Sequence, residues 1–112
     1  MPTRYYISLP DHARGDDARL SFQAGGPEGM AGELQDALRS DALFERWRSL
    51  QDEPADVDPA LGATDPNTQV TGSQDDLHVA LVVTTSLPSA VMRQRLDLLA
   101  GSNWQLRDVT AA

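Results

Sequence analysis

The chain has 112 residues, no cysteine, a formal net charge of -8 and a pI near 4.4. Lack of cysteine excludes disulfides, thiolate metal sites and cysteine nucleophiles. Acidity at this level opposes generic binding to nucleic acid or anionic membrane, where positive charge supplies most of the affinity.

At 40% hydrophobic and 23% charged residues, the composition is that of an ordinary globular chain. Its length suits one domain, residues 1–112, with a single core. All nine basic residues are arginine, which fits the codon usage of a GC-rich genome better than a design for phosphate recognition. No apolar run reaches the length of a membrane span. The opening MPTRYYISLP lacks the apolar stretch of a secretory signal, so a cytoplasmic location is expected if Met1 is the true start.

Arg4 to Leu9 reads as a strand with Tyr5, Ile7 and Leu9 on one face and Tyr6 and Ser8 on the other, and Pro10 stops it. The polar DHARGDDAR stretch reads as a loop. Leu20 to Ala24 alternates again and is a candidate second strand before the breaker Gly25-Gly26-Pro27. Residues 28 to 51 have helical periodicity but not in one phase. Met30, Leu34, Ala37 and Leu38 form one stripe, while Leu43, Phe44, Trp47 and Leu50 form another, offset by roughly a third of a turn. One straight helix would bury Asp41. A break at Ser40-Asp41 removes the conflict and gives helices over 28–39 and 42–51, with either residue able to cap the second.

Residues 52–66 form an acidic, proline-rich loop with five carboxylates, read as a solvated connection. Asp56 and Asp58 offer oxygen ligands at alternate positions. An EF-hand loop begun at Asp56 would also need an acidic or amide residue at Ala60, glycine at Leu61 and glutamate at Asn67, so no metal is expected. Residues 68 to 71 read as a short strand and 72 to 76 as a turn. Leu77 to Thr85 is the strongest strand, apolar on both faces through its middle and therefore internal to the sheet. Pro88 and Gly101 bracket a helix whose apolar face carries Val91, Met92, Leu96, Leu98 and Leu99. Asn103 to Val109 closes the chain as a strand.

The fold class expected is α+β, with a four- or five-stranded antiparallel or mixed sheet and helices on one face. Without the doubtful second strand the order is βαββαβ, the split pattern of ferredoxin-like folds, here with a kinked or split first helix. That analogy carries no function.

Nucleophile and phosphate-loop signatures are missing: there is no G-x-S-x-G, no S-x-x-K, and Gly25-Gly26-Pro27-Glu28-Gly29 lacks Walker spacing. RNA-recognition modules share the strand order, but the strand LHVALVVTT offers no base-stacking aromatic. His12 and His78 are the only histidines and have no zinc spacing. His78, at a strand end beside Asp75 and Asp76, reads first as a turn neighbour and second as a general base. Arg95 falls inside the apolar arc of the last helix. It reads as a snorkelling side chain at the helix margin, or alternatively as an anion anchor.

Tyr5, Ile7, Val79, Leu81, Val83, Trp104 and Leu106 are expected to face the helices. Tyr6, Ser8, His78, Ala80, Val82, Gln105 and Arg107 then line an uncovered, semi-apolar face, on which Tyr6, His78, Val82 and Arg107 are the candidate binding residues. The leading functional expectation is a non-catalytic protein-interaction or regulatory module, without cofactor, that binds a protein partner or itself. The alternative is a sensor of small anionic ligands, alone or as a dimer. Third comes a small enzyme using His78 or His12 with nearby carboxylates.

Overall fold

Strict alternation makes the first element a strand. In the computed structural model, which describes residues 2–112, β1 spans Thr3–Pro10 and buries Tyr5, Ile7 and Leu9 while Tyr6 and Ser8 stay half-exposed. The strand read as strongest is β3 below and lies inside the sheet, as its two apolar faces require. Four strands are present: β1, β2 (Gln69–Asp75), β3 (His78–Thr85) and β4 (Gln105–Ala111). They form one antiparallel sheet in the order β2-β3-β1-β4. Register pairs Tyr5 with Val83, Ile7 with Leu81 and Leu9 with Val79, which puts six buried apolar side chains on one face.

The helices cover that face alone. The two stripes of residues 28–51 become α1 (Pro27–Arg39) and α2 (Ala42–Ser49), separated at Ser40-Asp41. The break has a different chemistry from the one expected. Asp41 occupies the N-cap position of α2, but its side chain makes no capping hydrogen bond; the Ser40 hydroxyl instead donates back to the Asp36 carbonyl. Helix α3 runs over Ser89–Ala100, directly after Pro88, and ends at Gly101, whose φ of 62° lies in the left-handed region that glycine reaches freely. Helix α1 lies on β2 at Gly72, where any Cβ would collide with the carbonyl oxygen of Pro27.

Three segments differ from the sequence expectation. Leu20 to Ala24 is no strand, and the sheet has four strands rather than five. Leu20 and Phe22 alternate because they are two plugs pushed into the core from a loop. Their backbone is satisfied elsewhere: Phe22 N–H donates to the Leu99 carbonyl at 2.9 Å, one of the open carbonyls at the end of α3. Gln23 and Ala24 N–H both donate at 2.9 Å to the Glu33 carboxylate on α1. Next, β2 continues through Gly72-Ser73, read as a turn, and the hairpin tip is only Asp76-Leu77, with Asp76 at φ 56°. Finally, β4 lies two residues further on than expected and carries a β-bulge: Ile7 pairs with Leu106 but Tyr6 pairs with Asp108, leaving Arg107 as the extra residue.

The acidic loop is not extended. Pro54–Asp56 and Pro59–Gly62 each form a 3-10 turn, with Asp52, Glu53, Asp56 and Asp58 exposed. Its far end is held by Asp65. The Asp65 N–H donates to the Leu38 carbonyl at the end of α1 (2.9 Å), and its carboxylate accepts from Asn67 N–H (3.0 Å) and Ser86 N–H (2.9 Å). These donors, Ser86 first and Asn67 second, hold the Asp65 carboxyl below the usual aspartate range.

Stability should therefore contain an Asp65 contribution that is complete above the unfolded aspartate pKa of about 4 and is lost as pH falls through the lower folded value. Asp65→Asn presents an amide donor or a weaker acceptor to Ser86 N–H. It should be less stable than the wild type at neutral pH, with the gap closing below about pH 4. Urea unfolding of both proteins across that range measures the gap; a gap that is constant with pH would contradict this assignment.

Candidate functional site

Alternation along β1 and β3 and the register between them decide what the uncovered face displays. Tyr6 is paired with Val82, Ser8 with Ala80 and Pro10 with His78. On β2, Thr71, Ser73 and Asp75 lie opposite Val82, Ala80 and His78. On β4, Gln105 is opposite Ser8 and Asp108 is opposite Tyr6. No helix packs here, so Tyr6, Ala80 and Val82 at the centre remain partly exposed.

The four candidate residues come together. Tyr6, His78, Val82 and Arg107 line one shallow depression of about 400 Å³, with Asp75, Ser8 and Ala80. A second depression, about 260 Å³, lies beside it at the β3–β1–β4 end and is lined by Trp104, Asn103, Ser102 and Gln105. Ser8, His78 and Arg107 line both depressions. Trp104 is fixed from the helical side: its indole N–H donates to the Asp97 carboxylate at 2.8 Å, and the Arg93 guanidinium lies 5.9 Å from its ring centroid. The chemistry on offer is one guanidinium, one imidazole, one carboxylate and several hydroxyl and amide groups around a small apolar centre. Such a set binds and orients.

Sequence reasoning missed Asp108. Plain alternation assigns it to the face opposite Arg107, and only the bulge brings both to the open side.

No protein-family model, no curated protein and no solved structure matches this chain.

The remaining candidates lie elsewhere. His12, at φ 58°, sits in the loop after β1 with its ring against Gly25, and it lines neither depression. Among the described residues, no group of three or more histidine, aspartate or glutamate side chains is placed to hold a metal ion. No helix there is long and apolar enough to cross a membrane.

Arg95 does not snorkel. It is 0% exposed, and its guanidinium turns inward to the underside of the acidic loop. Nη1 donates to the Leu61 carbonyl at 2.6 Å and Nη2 to the Ala63 carbonyl at 3.1 Å. The Phe44 ring lies 5.3 Å from the guanidinium carbon. Burial lowers its pKa from the ordinary arginine value, and the charge of Asp41 opposes that shift. Among the described residues no carboxylate comes within ion-pairing distance, so carbonyl dipoles and the aromatic face carry the compensation. The expectation of a margin residue fails because a helical wheel gives a direction and cannot say what lies along it.

Arg95→Met fills similar space but leaves the Leu61 and Ala63 carbonyls without their donor. A net cost of about 1–2 kcal/mol is expected, since relief of the buried charge offsets part of the lost hydrogen bonding. Hydrogen exchange at residues 54–63 should accelerate more than exchange in β3. Unchanged exchange in that loop would show that the arginine does not hold it.

Proposed function

We propose that this chain is a non-catalytic protein-interaction or regulatory module, a ferredoxin-like βαββαβ variant with a split first helix, that engages its partner through the open sheet face. One observation carries the reading: a four-stranded sheet has all its helices on one side and an uncovered opposite face centred on Tyr6, Ala80 and Val82. Half-sheltered apolar side chains ringed by polar ones are the layout of a contact surface. The strand order β2-β3-β1-β4, antiparallel throughout, supports the fold assignment. A second reading, a small-anion sensor, draws on Arg107 and His78 sharing both depressions with no intramolecular ion pair at Arg107 among the described residues. It would require anions to raise the melting temperature of the wild type and not of Arg107→Gln.

The absence of native cysteine allows a direct test. Ala80→Cys places a thiol on the open face, and Ala90→Cys places one on the exposed side of α3. Each tagged variant is labelled with a thiol reagent, first purified and dilute, then in a concentrated extract of its own cells. Labelling of Ala80→Cys should slow about tenfold in the extract, while Ala90→Cys keeps its rate, because an occupant covers only the first site. Equal rates for Ala80→Cys in both conditions would remove the interaction reading.

A further inference from the structure

The open face differs from the rest of the molecule in charge. Its arginines, Arg4 and Arg107, are matched by two aspartates, Asp75 and Asp108, all four placed there by strand register and the bulge. The whole formal net charge of -8 is therefore carried by the helical side, the loops and the strand ends. A basic partner would be drawn to those acidic regions and would gain nothing from a neutral face. A second acidic chain would be repelled everywhere except at this face.

The edges of the sheet are closed to the other common route of association. On β2 the outward Val70 N–H is already taken by the Gln35 side chain at 3.0 Å, and α1 lies against Gly72. On β4 the bulge interrupts the ladder, and Arg107 and Asp108 place charges beside it. Both are recognised means of stopping strand-to-strand addition. What remains is the face itself. Four strands about 4.8 Å apart and seven or eight residues long give it roughly 20 by 25 Å, or about 500 Å² on each partner, the extent of a weak, transient interface.

From neutrality, blocked edges and extent, we infer that the occupant of the open face is a second copy of this chain, packed sheet to sheet about a two-fold axis that runs along the strands between β3 and β1. This rests on the interaction reading above. That axis lays β1 over β3 of the partner subunit, so Tyr6 meets Val82 of the partner subunit near the centre. It also lays β4 over β2 of the partner subunit, so Arg107 stands over Thr71 and Gly72 of the partner subunit and Gln105 over Ser73 of the partner subunit, and the two-fold repeats the arrangement. Sheets stacked this way cross at about 30°, which leaves the central contacts of Tyr6 with Val82 of the partner subunit the least displaced.

Sedimentation equilibrium of the full chain from micromolar to millimolar concentration reads the outcome. The wild type should be a dimer. Thr71→Arg, at an exposed position, should raise Kd about tenfold or more by setting a second guanidinium over Arg107 of the partner subunit, and adding Arg107→Asp to make the double variant should recover most of the loss. Val82→Asp should give a monomer with an unchanged circular dichroism spectrum. A bifunctional thiol reagent should link Ala80→Cys into dimers and leave Ala90→Cys monomeric. A wild type that stays monomeric throughout would overturn the second copy, and protection of Ala80→Cys in extract would then still stand for a different partner. A dimer without rescue in the double variant, or one linked through Ala90→Cys, would overturn this arrangement.

Discussion

A single buried guanidinium organises the side of the molecule that has no sheet. Arg95 projects from α3 into a site bounded by Phe44 of α2 and by the carbonyls of Leu61 and Ala63. A cation so placed would be costly without compensation, and its donations to Leu61 and Ala63 each fix one point of the loop above. The proline-rich connection thus becomes a structural lid on α2 and α3. Gly62 belongs to the same contact, because a Cβ there would press on the Phe44 ring at 2.8 Å. From this anchored point the chain reaches Asp65, and Asp65 delivers it to the start of β2.

That delivery explains why all the helices share one side. The first connection, from β1 through α1 and α2, ends below the sheet, and the loop held by Arg95 and Asp65 brings it back to the edge without crossing over the top. The buried hydroxyl pair Thr68–Thr85, 2.8 Å apart, and the Arg39 Nε donation to the Thr68 carbonyl at 2.7 Å secure the entry to the edge strand. The polar connections are all spent on the helical side. The face opposite is left to its own side chains, and its composition becomes informative because nothing in the fold requires it.

Periodicity made β1, β3, α3 and the α1–α2 break readable, since each buries one face and its spacing records which. The same logic placed Tyr6, Val82 and His78 on the open side. The failures have a common cause: the residues concerned are fixed by partners distant in sequence. Leu20 and Phe22 alternate like a strand, yet the groups that satisfy their neighbourhood are Glu33 and the end of α3. Gly72-Ser73 has turn composition but serves close packing under α1. Arg95 has the right angle on the wheel and an unforeseen target. Asp108 was missed because an irregularity in a ladder leaves no trace in hydrophobic pattern.

That irregularity makes Arg107 unlike any other strand residue. Leu106 pairs with Ile7 and Asp108 with Tyr6, so excising position 107 would join two stretches that already alternate correctly. The ladder would close into a regular one, with every remaining side chain on the side it now occupies. The ladder does not depend on this arginine. Its side chain is therefore free of the packing demands that fix its neighbours, at a position that lines both depressions of the open face.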